Sequence, residues 1–248
     1  MMDEIKKERK PPFTASGILL VDKDPEWTSH DVVAFVRKTF RIEKVGHCGT
    51  LDPAATGLLI LVLGKATKFS QILSGNDKTY ECVMRLGIET DSCDMDGEVT
   101  SEKDWSSVTE NDVKKAVKKF IGKIMQVPPM VSAKKVGGKK LYELARQGKT
   151  IEREPVPIEI RSIDITKIEL PDVYMTVTCS KGTYIRSLCF DVGNVLGCGG
   201  TLFSLRRTKS GLFCIDNAVT MEKLREIDQI ELENSMVDVQ TMIAAVKE

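Results

Sequence analysis

Apolar residues along the chain fall into blocks of two periods, and each period predicts an element. Gly17–Val21 and Leu58–Leu63 are short, unbroken apolar runs, the signature of buried strands. Tyr80, Cys82, Met84 and Leu86 alternate with polar residues, as do stretches near Ile158–Ile168 and Val173–Cys179, so these are predicted as strands with one covered face. Helical spacing begins behind the start signal Thr28, Ser29 and Asp31, with Val32, Phe35, Val36 and Phe40 on one face. It returns at Ala66, Phe69 and Leu73, and at Val113, Ala116, Val117, Phe120 and Ile121. Ile185, Leu188, Cys189, Val192 and Leu196 predict a helix running from Tyr184 to Leu196. In the tail, Met236, Val239, Ile243 and Val246 fit a stripe of short helices. Strands and helices mix without a regular βαβ alternation, which predicts an α+β fold. Residues 128–157 break the pattern: Pro128-Pro129 and Pro155/Pro157 bracket a Lys- and Gly-rich stretch with one short helical patch, Leu141–Ala145. It reads as an excursion from the core.

Composition narrows the class. At 248 residues the chain buries a real core, as one large domain or one with a small appendage. Met1 to Lys10 is polar and charged, unlike a secretory signal, and no run approaches the ~20 apolar residues of a membrane span. Seven cysteines, an odd number without a C-x-x-C pair, point to reduced thiols in a cytoplasm and away from a disulfide framework or zinc knuckle. The formal net charge is zero, but its distribution is uneven. From Asp112 to Arg153 only Asp112, Glu143 and Glu152 oppose a dense series of lysines and arginines, while Glu89–Asp104 and the tail from Asp216 are acidic. This fits either a solvated charged face or a surface that meets phosphates.

The densest chemistry lies at Gly46-His47-Cys48-Gly49-Thr50-Leu51-Asp52-Pro53-Ala54-Ala55-Thr56-Gly57. Asp52 before Pro53 is a good helix start, where a carboxylate caps free N–H groups for about 1 kcal/mol. Glycines on both sides allow unusual backbone angles and close approach of a ligand, so a chemical role stands beside the capping one. His47 is one of two histidines and serves either as a turn residue or near the acid; His30 falls in a helix-start signal and reads as structural. In Gly182-Thr183-Tyr184-Ile185-Arg186-Ser187, Arg186 sits in the first turn of a predicted helix, the end at which the dipole disfavours a cation. That misfit points to a second duty. Ser92–Gly97 resembles a calcium loop only faintly, with Ser at the first ligand position and Lys103 at the twelfth, and no metal site is read there.

The string at 46–57 resembles the catalytic motif of the TruB family of tRNA pseudouridine synthases. The similarity continues in family order from Gly17–Lys23 to Leu205-Arg206-Arg207-Thr208-Lys209-Ser210-Gly211. The resemblance implies the pseudouridine synthase fold, a mixed and mainly antiparallel sheet flanked by helices, with the basic insertion at about 128–155 gripping RNA. It implies a catalytic domain over 1–215 and a short helical segment over 216–248, without the complete RNA-binding PUA domain of longer members. The implied activity is isomerisation of uridine to pseudouridine in the T stem-loop of tRNA, at position 55, by a cytoplasmic monomer needing no cofactor, metal or protein partner. It further implies that Asp52 is the catalytic carboxylate and Arg186 its partner. By the same resemblance His47 packs on RNA as the target nucleotide leaves the stack, Tyr80 lies against the uracil, Tyr184 and Leu205 contact the nucleotide, and Lys68 lies near the site. A guanidinium within ~4–6 Å is expected to lower the Asp52 pKa by about 1–3 units. Two other readings stay open: an RNA-folding helper with incidental catalysis, and a dyskerin-like synthase directed by a guide RNA.

Overall fold

The computed structural model describes residues 13–130, 135–136, 139–140, 151–238, 240–241 and 243–244, with backbone alone at 135–136 and 139–140. Its strands are β1 Gly17–Lys23, β2 Val45–Cys48, β3 Thr56–Leu63, β4 Lys78–Leu86, β5 Ile88–Thr90, β6 Val99–Glu102, β7 Gly122–Gln126, β8 Lys135–Val136, β9 Lys139–Lys140, β10 Val156–Glu169, β11 Asp172–Cys179, β12 Gly200–Ser210, β13 Phe213–Cys214 and β14 Val219–Thr220. The helices are α1 Ser29–Thr39, α2 Ser70–Ser74, α3 Glu110–Lys118, α4 Ile185–Leu196, α5 Met221–Glu226 and α6 Gln229–Asn234, with a 3-10 helix over Gly64–Phe69 running into α2. Ten strands form one sheet in the order β14-β1-β3-β12-β4-β11-β10-β7, with β2 added to β3 and β13 to β12. Only the β1–β14 and β3–β12 pairs in it are parallel. The α+β class and the mainly antiparallel sheet are as the sequence predicts.

The two periods explain the layers. Along β3, Leu59, Leu61 and Leu63 enter a core shared with α1, α3 and α4, while Leu58, Ile60 and Val62 enter a smaller one under Ala66, Leu73 and Phe213. Both faces of β3 are covered, which is why its sequence is unbroken and apolar. β4 and β11 cover one face only, so their buried and half-buried residues alternate. Helix α1 starts on a capping box in which Thr28 Oγ1 accepts from the Asp31 N–H and the Asp31 carboxylate accepts from the Thr28 N–H.

Three expectations change. The helix predicted through Ile121 ends at Lys118, and Ile121 is exposed. No helix follows Asp52: the chain bends and enters β3 directly, so the capping role falls away. Met236 belongs to no helix, and Val237 bridges to Ile18 of β1. The Leu141–Ala145 patch, Val239 and Val246 lie outside the described residues. Among the described residues, no helix is long and apolar enough to cross a membrane.

One contact fixes the junction of β3 and β12. Gly57 has φ of +99°, and a Cβ there would stand 2.3 Å from the Arg207 carbonyl oxygen. Gly57→Ala is expected to cost at least about 2 kcal/mol, from the clash with rigid backbone and the left-handed φ. A urea melt checks this, and an unchanged midpoint would refute it.

Candidate active site

The site begins where the sheet forks. β3 pairs with β12 only at Thr56 and Gly57, and with β2 at Ile60 to Leu63. Those two neighbours part at the start of β3, and the loop joining β2 to β3 sits over the gap, carrying Asp52. A pocket of about 240 Å³ opens there, lined by Asp52, Arg186, Tyr80, Tyr184, Leu205 and Lys78 among others. It is smaller than the ~300–1,000 Å³ of sites for drug-sized ligands and suits a single planar base.

The loop is held backbone group by backbone group. Ser29 Oγ donates to the Leu51 carbonyl at 3.1 Å and accepts from the Leu51 N–H at 2.9 Å. Lys23, fully buried, donates to the carbonyls of Asp24, Trp27 and Pro53 at 2.8, 2.8 and 3.0 Å. Arg207, also buried, donates to the Gly49 carbonyl at 3.0 Å and the Leu58 carbonyl at 2.7 Å. Burial pushes the Lys23 ammonium down to about 8, opposed by Asp24 and Asp52. These bonds hold the loop that carries Asp52 in one place.

Arg186 arrives from the first turn of α4. Gln126 holds that helix start, its amide nitrogen donating to the Tyr184 carbonyl at 3.0 Å and its oxygen accepting from the Tyr184 N–H at 2.9 Å. Ser187 Oγ adds a bond to the Val127 carbonyl at 2.9 Å. The Arg186 side chain is 3% exposed, and one terminal nitrogen lies 3.0 Å from Asp52 Oδ2. The other lies 3.0 Å from the Ser92 carbonyl and 3.4 Å from Asp94 Oδ2. The misfit with the helix dipole is thus offset by two carboxylates and a carbonyl. Their joint claim also corrects the expected pKa. The recess pushes the Asp52 carboxyl up; Arg186 pulls it down, Asp94 and Asp96 push it up again, and the net direction is upward. Burial is the largest of these effects, so the pull of Arg186 on Asp52 does not win. Asp94→Asn removes one upward push, and the acidic limb of the kcat/KM pH profile is expected to move to lower pH. An unmoved limb in pH–rate measurements would separate Asp94 from the acid.

Tyr80 projects from β4, almost fully buried, and burial pushes its phenol up, so it stays protonated at neutral pH. Tyr184 and Leu205 are half-buried at the rim. His47, on β2, does not line this pocket. It lines an adjoining depression with Ser70, Gln71, Ser74, Gly75 and Lys181, and Ser74 belongs to both hollows. Its ring meets His30 edge-on at 5.4 Å between centroids, and burial keeps its pKa below the usual histidine value. Lys68 is exposed, with its ammonium 4.9 Å from the Phe69 ring, and is not in the pocket wall.

Several site residues escape the sequence reading: Lys23, Ser29, Lys78, Arg207 and Asp94. Lys78 donates to the carbonyls of Ser74 and Asn76 at 2.7 and 2.6 Å, and burial pushes it down to about 8. A cation at the end of an apolar strand is an available signal for Lys23; Arg207 lies among polar residues and has no such signal. Asp94 hides in the rejected calcium loop, whose role is to present Asp94 and the Ser92 carbonyl to Arg186.

With this geometry in hand, relatives are informative. The N-terminal domain of the TruB family of pseudouridylate synthases matches residues 37–185, and the C-terminal domain of tRNA pseudouridylate synthase B matches residues 186–245. The tRNA pseudouridine synthase B of Alkaliphilus oremlandii (strain OhILAs) is 49% identical over 216 residues, 87% of this chain and 72% of that protein. That of Ralstonia pickettii (strain 12J) is 49% identical over 226 residues, 89% of this chain and 71% of that protein. A chain in the crystal structure of a Cbf5–Nop10–Gar1 complex superposes with a TM-score of 0.71 at 30% identity, over 92% of this chain and 62% of its own length. The two family domains together cover residues 37–245, and this chain belongs to the TruB family of pseudouridylate synthases.

Proposed function

We infer that this protein isomerises uridine to pseudouridine in tRNA, at position 55 of the T stem-loop, with Asp52 as the catalytic carboxylate. The observation that carries the reading is the 3.0 Å pairing of Asp52 with a buried arginine from a distant part of the chain, at a pocket that also holds Tyr80 and Leu205. The reaction breaks the N1–C1′ bond, turns the detached uracil and forms a C5–C1′ bond; the C5 hydrogen is lost and N1 gains one. Product and substrate are isomers, so the chemistry calls for no electron or group carrier. Asp52 acts on the extruded nucleotide as nucleophile or base, Arg186 aims it, and Tyr80 lies against the ring, where base–aromatic stacking is worth about 1–3 kcal/mol. Tyr184 and Leu205 complete the contact with the nucleotide. Extruding that nucleotide costs a few kcal/mol of stacking, offset by these contacts and by His47 packing on the RNA it leaves.

In this reading residues 1–215 form the catalytic unit, residues 128–155 grip the stem-loop, and residues 216–248 buttress the sheet, in keeping with the burial of Met221, Leu224 and Leu232. The enzyme works as a cytoplasmic monomer on bare tRNA. The test incubates purified protein with an unmodified tRNA transcript and maps pseudouridine chemically along it. A single new pseudouridine at position 55 is expected. No modification, or modification only when a guide RNA is added, would overturn the reading.

A further inference from the structure

The 3-10 helix and α2 form one segment, Gly64 to Ser74, that borders three hollows in succession. Ser74 lines the Asp52 pocket; Ser70, Gln71 and Ser74 line the His47 depression; Gly64, Lys65 and Thr67 line a third hollow at the opposite end. From rises of ~2.0 and ~1.5 Å per residue, the segment is about 20 Å long. The third hollow is a groove of about 670 Å³ whose charged lining, among the described residues, is Arg37, Arg41, Lys44, Lys65 and Glu43. All five are exposed. In a chain of zero net charge, this concentrates positive potential at one end of a path that starts at the catalytic acid.

We propose that this groove binds the sugar–phosphate backbone of the RNA whose nucleotide enters the Asp52 pocket. The inference rests on the tRNA reading above and extends it: the loop nucleotide enters the pocket, neighbouring RNA crosses the His47 depression, and a more distant stretch of backbone reaches the groove. A whole tRNA carries more phosphates to such a distance than a short hairpin does. Contacts to phosphate fix register and carry no base preference, so the groove acts on affinity and orientation.

The experiment measures Kd by fluorescence anisotropy between about 50 and 200 mM salt, for a full tRNA transcript and for its isolated T stem-loop. In the triple variant Arg37→Gln, Lys44→Gln, Lys65→Gln, affinity for full tRNA is expected to fall about tenfold and the salt slope to shrink by about 2–3. Affinity for the hairpin, which carries fewer phosphates to the groove, is expected to fall less, by about threefold. Glu43→Gln removes the opposing charge and is expected to tighten tRNA binding about twofold, a gain that a damaged fold does not produce. Unchanged tRNA affinity and slope in the triple variant, equal losses for tRNA and hairpin, or no gain in Glu43→Gln would each overturn the proposal. Pseudouridine formation is scored separately in the parent protein. A protein that binds tRNA through the groove but makes no pseudouridine would sink the catalytic reading and leave the groove standing.

Discussion

Asp52→Asn is expected to bind tRNA within about threefold of the parent while pseudouridine formation falls by about 10³-fold or more, the scale of losing a positioned acid–base or nucleophilic group. The substitution keeps the shape of the side chain and an oxygen that accepts from Arg186, so the loop clamped by Ser29, Lys23 and Arg207 stays in place. Only the charge and basicity go. The same variant reports on stability. The carboxyl of Asp52 is raised in the folded protein, so its contribution favours the fold below the ordinary aspartate pKa and is lost as pH rises through the folded value. At pH 7 the ionised acid therefore destabilises the fold, and the asparagine variant is expected to melt no lower than the parent, with the difference closing towards pH 4. Single-turnover rates and melts at both pH values check the pair of effects. Turnover near that of the parent would remove Asp52 from the chemistry, whatever the melts report.

Arg186→Lys is expected to lower kcat/KM by about 10²-fold, because an ammonium is a compact point charge and a guanidinium is a planar fork. The fork reaches Asp52, Asp94 and the Ser92 carbonyl together, and a lysine does not span all three. Its pull on Asp52 weakens while the upward push of burial remains, so the acidic limb of the pH–rate profile moves up and the defect deepens as pH falls. Lysine is the informative replacement. Alanine would leave Asp52 and Asp94 without this cation beside a buried gap, so its loss would mix folding with chemistry. A loss that is the same at every pH would mean that Arg186 does not govern the ionisation of its neighbour.

The elements that sequence made legible are those whose burial is regular. β3 is covered on both faces and β4 on one, and each announces it in its periodicity. β12 lies at the centre of the sheet and is not announced, because register shifts between Leu202 and Ser204 and between Arg207 and Lys209 scramble its alternation. The same irregular strand brings Leu205 and Arg207 to the pocket, so the least readable strand is also a functional one. The pairing of Asp52 with Arg186 was legible through the family resemblance, with the glycine-rich loop and the awkward place at a helix start as hints. Asp94 was not, since its value depends on a cation delivered from ninety-odd residues away and on no local pattern. The expected fall in the Asp52 pKa failed for a related reason: pairwise reasoning counts one neighbour, and the recess with its further carboxylates outweighs that neighbour.

Where β12 leaves β3, the carbonyl of Leu58 takes its hydrogen bond from the Arg207 side chain, at a position where β3 pairs with β1 but with neither β12 nor β2. A guanidinium thus serves as a strut, satisfying backbone that would otherwise draw the two sides of the gap together. A receptacle propped in this way is expected to keep its shape when RNA enters it. The bending needed for the encounter then falls on the nucleic acid, and discrimination among RNAs follows how readily each can be deformed to fit a rigid mould.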